Sequence, residues 1–163
     1  MNVEPRDGTE QWRLARVDHN EDDRIVQMCA AFYVEDPAPY PVPPAHMRRT
    51  LAALRDDASR GVAVVLEIDG IVCGYALLIS SWSNEKGGRV CTIDEFYVAP
   101  AHRGRGHGTA LIEQLAANAD RWLPGVVALS LEVTPANRRA RALYERLGFH
   151  AANALMVRRL GSV

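Results

Sequence analysis

The amino-acid sequence predicts an α/β (α+β) fold: one mixed, mostly antiparallel sheet flanked by helices, in the order β-α-α-β-β-β-α-β-α-β with room for one more closing strand. Three observations predict it. Two apolar runs, 62–68 and 71–81, are joined by Asp69-Gly70, a strong hairpin signal. A strand-like run ending at Val98 turns through Arg103-Gly104-Arg105-Gly106-His107-Gly108 into an amphipathic helix, with Leu111, Ile112, Leu115, Ala116, Ala119 and Trp122 on one stripe. A further run, 126–133, ends on Thr134-Pro135, and proline suits the first turn of a following helix.

The elements follow in order. Residues 12–17 alternate as a first strand, with Trp12, Leu14 and Arg16 on one side. Asn20 is placed to cap a helix whose first turn holds Glu21, Asp22 and Asp23, acids that suit the positive end of the helix dipole. Ile25, Cys29, Phe32 and Tyr33 form its apolar side. Five prolines between Pro37 and Pro44 then enforce a loop around Tyr40. Met47, Leu51, Leu54 and Ala58 have helical spacing, with Gly61 as the expected stop. After the two hairpin strands, 82–88 forms a second connection and 89–98 a third antiparallel strand. Past the glycine-rich turn and its helix, Pro124-Gly125 breaks the chain before the run 126–133. The last helix turns Ala140, Leu143, Tyr144 and Leu147 inward and ends at Gly148, and 149–160 supplies one or two closing strands. Arg138, Arg139 and Arg141 read as a basic cluster of that helix, a solvated face first and a contact for a ligand phosphate second. No repeat or low-complexity tract divides the chain, so a single domain over 1–163 is expected.

Composition narrows the function classes. The chain has 163 residues, 48% apolar and 24% charged, with a formal net charge of -1. One core of ordinary size fits that length. Near-neutrality speaks against a nucleic-acid partner held by bulk electrostatics. The longest apolar run, 71–79, is interrupted by Gly74 and is far too short for a bilayer, so no membrane partner is expected. The acids Glu4, Asp7 and Glu10 exclude a signal peptide, and Cys29, Cys73 and Cys91 read as buried thiols of a reducing cytoplasm. The five histidines lack ligand spacing, so no metal is proposed.

The stretch 92–119 carries the chemistry. A strand that turns through glycines into a helix N-terminus offers unpartnered N–H groups to an anion. Arg103 and Arg105 beside it suit an anion with several oxygens, such as a pyrophosphate. The turn is not a P-loop, which needs Lys-Ser or Lys-Thr after the last glycine. Gly104, Gly106 and Gly108 also miss the G-x-G-x-x-G dinucleotide spacing.

Residues 98–111, from Val98 through Arg103-Gly104-Arg105-Gly106-His107-Gly108 to Leu111, resemble the acetyl-CoA signature of the GNAT superfamily of N-acetyltransferases. Its core, R/Q-x-x-G-x-G/A, is met by Arg103, Gly106 and Gly108. A second family motif is matched by Asn137, Ala140 and Leu143-Tyr144-Glu145-Arg146-Leu147-Gly148-Phe149. The order of elements is also that of the family, so the resemblance covers nearly the whole chain. It implies acetyl-CoA as cosubstrate, with the backbone from Arg103 through Gly104, Arg105, Gly106, His107 and Gly108 to Thr109 around its pyrophosphate. It further implies that the pantetheine arm lies in a splay between the strand ending at Val98 and the strand from Val126. Backbone groups of Phe96 and Val98 would bond that arm, the Val98 N–H would face the thioester oxygen, and Asn137 would touch CoA.

The resemblance also assigns roles in transfer. Tyr144 becomes the general acid that protonates the departing thiolate, since a phenol of reference pKa about 10 is still protonated at neutral pH. On spacing alone it would be a core residue. Asp94 and Glu95 are the candidates for base, because an alkyl amine of pKa about 10.4 must lose a proton before it attacks. Adjacent strand residues point to opposite faces, so without a bulge only one of the two serves the site. Alternation groups Asp94 with Thr92 and Phe96, and Glu95 with Ile93 and Tyr97. The preference is Asp94 as base through water, with Glu95 orienting the substrate. No covalent nucleophile is indicated, which leaves direct attack by the amine.

The acceptor pocket is expected from the first helix-loop-helix and the 82–88 connection. Tyr33, Glu35, Tyr40, Trp82 and Glu85 are its candidate residues, with Phe32 and Asp36 beside them. Their acidic and aromatic character fits a small cationic amine. The run Ile93-Asp94-Glu95-Phe96-Tyr97-Val98 is also similar to the corresponding strand of diamine N-acetyltransferases. The alternatives are a protein or peptide N-acetyltransferase, a non-catalytic acyl-CoA-binding module of the same fold, and a nucleotide-binding protein with no preference for CoA. A homodimer is the family-level expectation.

Overall fold

The computed structural model describes residues 12–152 and 155–158. β1 (Trp12–Arg16) leads through a 3-10 turn (His19–Glu21) to α1 (Asp22–Glu35) and α2 (Pro44–Asp56). Three long strands follow, β2 (Gly61–Ile68), β3 (Ile71–Ser83) and β4 (Gly88–Val98). A 3-10 turn (Pro100–His102) then precedes α3 (His107–Ala117) and α4 (Ala119–Trp122), and β5 (Val126–Leu131) and α5 (Arg138–Arg146) complete the described elements. The five strands form one sheet in sequence order; β1 to β4 run antiparallel, and β5 lies parallel to β4. The expected mixed, mostly antiparallel sheet is therefore present. The closing strand expected over 149–160 is not formed among its described residues, 149–152 and 155–158.

The sheet separates two apolar cores. On one face, Val64, Leu66, Ala76, Leu78, Cys91 and Ile93 meet Leu111, Ile112 and Leu115 of α3 and Trp122 of α4. Tyr144 of α5 is packed against the same cluster, together with Leu147 and Phe149. On the other face, Val65, Tyr75, Leu77 and Tyr97 meet Ile25 and Cys29 of α1 and Met47, Leu51 and Leu54 of α2. β2, with every residue buried, is apolar from Val62 to Leu66 because it is covered on both sides, and its one charged residue, Glu67, pairs with Arg13 of β1. The three cysteines are buried and none of them is in a disulfide among the described residues, as expected of structural thiols. None of the helices among the described residues is long and apolar enough to cross a membrane.

Two local readings are corrected. Asn20 does not cap the first helix, because the chain already turns at Asp18, whose backbone N–H donates to the Glu21 carboxylate at 2.7 Å. Gly61 does not stop α2, which ends at Asp56. Instead it opens β2 at φ +148°, where an added Cβ would stand 2.1 Å from the Leu78 carbonyl oxygen. A glycine there marks close backbone approach.

Candidate active site

The site begins with a defect in β4. Leu77 of β3 pairs with Glu95 and Leu78 pairs with Ile93, so Asp94 is an extra residue, a β-bulge. Strict alternation breaks there. Cys91 and Ile93 face the α3 side before the bulge, and Phe96 and Val98 face it afterwards. The grouping of Glu95 with Ile93 is thus corrected, as is that of Asp94 with Thr92. Thr92 instead pairs with Ile79 and shares a 2.9 Å hydrogen bond with Ser130 on β5.

The bulge also ends a pairing. β5 follows β4 only from Arg89 to Ile93, so the sheet opens between Asp94–Val98 and the chain after Leu131. A cleft of about 800 Å³ fills the opening. Its floor is Ile93, Asp94, Phe96 and Val98; one wall is the turn from His102 to Thr109, and the other is the chain from Glu132 to Arg146, Tyr144 included. The end of α1 covers one side with Phe32, Glu35 and Asp36.

The turn is shaped for an anion. Gly106 caps α3 at φ +84°, where an L side chain would be strained, and as a glycine it offers no side-chain cap of its own to the first turn of the helix. The first N–H groups of a helix have no acceptor within it, and here they border the cleft. Gly108 lies so close to the ring of Phe96 that a Cβ would touch it at 3.5 Å. Of the residues expected around the cofactor, Phe96, Val98, Arg103, Gly104, Gly106, His107, Gly108, Thr109 and Asn137 line the cleft, whereas Arg105 does not. Arg103 is committed elsewhere than the sequence suggests. Its Nε donates to the Val98 carbonyl at 2.6 Å, its two terminal nitrogens fork onto the Glu35 carboxylate at 2.8 and 3.0 Å, and it stacks on the Tyr97 ring. Asn137 caps α5, accepting from the Ala140 N–H at 3.1 Å and donating to Asp36 at 3.1 Å.

The two adjacent acids part company. Asp94 opens on the cleft, and the protein crowding it raises its carboxyl above the usual carboxylate range by desolvation. Glu95 is buried on the opposite face, where Tyr33 donates to one carboxylate oxygen at 2.6 Å and Tyr75 to the other at 2.7 Å. Burial raises its pKa, while the two phenols pull the other way. A substrate-orienting role for Glu95 by direct contact across the cleft does not fit this placement. The Tyr144 hydroxyl is pushed up by burial first and by the nearby Asp36 carboxylate second, so it holds its proton throughout the neutral range.

The expected acceptor residues do not gather in one place. Glu35 lines the cleft with its neighbours Phe32 and Asp36, and the others do not. Tyr33 is spent on Glu95, Tyr40 is exposed, and Trp82 and Glu85 stand on the β3–β4 hairpin, with Trp82 75% exposed. The cleft adds residues that were not among the site candidates: His102, Glu132, Arg146, and Arg139 from the face expected to be solvated. Arg139, Leu143 and Arg146 recur at helical spacing, a signal that was available in the sequence. His102 turns a buried Nδ1 without a hydrogen-bond partner among the described residues. No cluster of histidine, cysteine and carboxylate able to hold a metal occurs among the described residues.

A sequence profile described as the acetyltransferase (GNAT) family matches residues 25–149, from α1 through the end of the second motif. The chain belongs to the GNAT family. It is 36% identical over 94 residues to streptothricin acetyltransferase of Streptomyces lavendulae, a match covering 58% of this chain and 47% of that one. It is 40% identical over 78 residues to the bovine (Bos taurus) thialysine N-epsilon-acetyltransferase, covering 47% and 44%. The chain thus spans about half the length of the curated relatives it matches. A crystal structure of a possible acetyltransferase from Clostridium difficile 630 superposes with a TM-score of 0.77 at 18% identity, covering 93% of this chain and 98% of that one, and so shares the fold.

Proposed function

We propose that this GNAT chain transfers an acetyl group from acetyl-CoA to a primary amine of a small, cationic acceptor by direct attack of the amine. The observation that carries the reading is the bulge at Asp94. One irregularity opens the sheet for an extended ligand and turns a carboxylate into the same cleft that Tyr144 and the glycine turn line. The cleft has room for the pantetheine arm, and the open first turn of α3 matches the chemistry of a pyrophosphate. The dipole at such a helix end contributes on the order of 0.3–1 kcal/mol to holding an anion.

The residues divide the work. Asp94 takes the proton that the ammonium group must lose, through water, and its raised pKa brings it nearer in strength to that task. The freed amine forms its bond to the acetyl carbon, the carbon–sulfur bond breaks, Tyr144 supplies the proton that the thiolate captures, and the second proton shed by the new amide nitrogen passes through solvent to restore the phenol. The Val98 N–H, at the end of the unpaired edge of β4, is the donor proposed for the carbonyl oxygen as charge builds on it. Asp94 and Glu132 line the cleft as carboxylates beside Glu35 and Asp36, which are engaged by Arg103, Thr134 and Asn137, and that acidic pair suits a cationic acceptor. The names of the relatives, streptothricin and thialysine acetyltransferases, support amines of that kind.

A panel of amines assayed with acetyl-CoA and a thiol reporter tests the proposal. Polyamines, diamino acids and aminoglycoside-like compounds should release thiol. Turnover confined to peptide N-termini or neutral amines would refute the acceptor class.

A further inference from the structure

The opening in the sheet raises a mechanical question. Beyond Ile93, no backbone ladder among the described residues joins β4 to the chain after Leu131, yet the two walls of the cleft must stand at a fixed distance to grip one ligand. Two consecutive carboxylates at the end of α1 reach both walls. Glu35 takes a bidentate pair of hydrogen bonds from Arg103, at 2.8 and 3.0 Å, and Arg103 is itself pinned to the Val98 carbonyl and the Tyr97 ring. Asp36 uses both of its oxygens on the opposite wall. It accepts from Thr134 Oγ1 at 3.0 Å and from Asn137 Nδ2 at 3.1 Å. Asn137 in turn caps α5, the helix that carries Tyr144. Asp36 is also the residue at which α1 stops, its own N–H bonded to the Phe32 carbonyl at 2.9 Å, so neither carboxylate hangs on a loose loop.

We propose that Glu35 and Asp36 are positioning residues that staple the glycine turn to the start of α5, and so set the width of the cofactor cleft. Their effect passes through Arg103 on one side and through Thr134 and Asn137 on the other. A forked guanidinium–carboxylate pair fixes direction as well as distance, which a single point charge does not. The role differs from the acceptor contact that the sequence suggests for Glu35. It predicts that losing either carboxylate weakens cofactor binding even with no amine present. The inference rests on the reading that the cleft takes acetyl-CoA.

Calorimetric titration of the full chain with CoA, alongside the melting temperature of each variant, tests it. E35Q and D36N should each weaken CoA binding about tenfold while remaining folded. E35A/R103A should bind no worse than R103A, because the carboxylate acts through the guanidinium. The reversed pair D36N/N137D restores the polarity of the hydrogen bond between the two positions. The amide introduced on α1 donates to the carboxylate introduced on α5 and still accepts from Thr134, and a carboxylate at that position remains a good helix cap. The double variant should bind CoA about tenfold better than N137D alone, the baseline that carries whatever the change costs through the place of Asn137 in the cleft, a rescue that general destabilisation would not produce. Unchanged CoA affinity in folded E35Q and D36N overturns the staple, as does a folded D36N/N137D that binds no better than N137D. Failure of the parent chain to bind CoA at all would instead overturn the functional reading beneath it.

Discussion

At the scale of single residues, the proposed transfer turns on two titrating groups, Asp94 as its base and Tyr144 as its acid. Asp94 has its pKa raised by desolvation, so the base is lost as pH falls through that raised value, and the acid limb of kcat/KM should lie above that of an ordinary aspartate. Tyr144 has its pKa raised as well, so the acid is lost only as pH climbs beyond the normal phenol range. Y144F and D94N should each lower kcat by about 10²-fold. D94N should erase the acid limb, and Y144F should flatten the alkaline one. A D94N enzyme with the parent's pH profile would remove Asp94 from the reaction. Glu95 shows how little adjacency means on a strand. Its neighbour faces the cleft, whereas its own carboxylate is closed between two phenols.

At the scale of elements, β-strand irregularities are where the fold makes its site. The bulge at Asp94 bends β4, releases β5 and reverses the facing of every later side chain in the strand. Gly61 performs a structural task at the start of β2. Its positive φ and its contact with the Leu78 carbonyl exclude a side chain, so G61A should cost about 2–4 kcal/mol. That loss should appear as a lower urea midpoint at constant m. By contrast G70A, at the hairpin tip, also has a positive φ but meets no atom, and it should cost less because only the backbone term remains.

At the scale of the molecule, the cleft joins α1, β4, the α3 turn and α5, so one ligand should lock elements that the sheet alone does not hold together. CoA at a hundred times its dissociation constant should stabilise the fold by about 2.7 kcal/mol. A melting temperature raised by roughly 5–10 °C would report that gain. ATP or NAD at the same concentration should give a clearly smaller shift, and an equal one would point to generic nucleotide binding.

Fold class, strand order, the glycine turn and the α5 motif were all readable from the residues, because each rests on local chemistry. Asp69-Gly70 turns a hairpin by itself, Gly106 accepts a positive φ by itself, and the buried stripe Leu111, Ile112 and Leu115 is a matter of helical spacing, although the helix ends at Ala117, with Ala116 exposed, and Trp122 reaches the core from the separate α4. The fates of Asp94 and Glu95 were not readable. A bulge is decided by register against a partner strand, and one inserted residue exchanges the two faces. The same reason hid the employment of Arg103. The turn marks it as a cation for an anion, but only the packing of α1 shows that Glu35, 68 residues earlier, already holds it. Trp82 and Glu85 were grouped with Tyr33 by chemical character, and the length of the β3–β4 hairpin carries them away from the cleft. Short-range rules therefore name the family motifs and the candidate site residues of this chain, while the pairing of strands and the reach of α1 decide which of its charges open on the cleft.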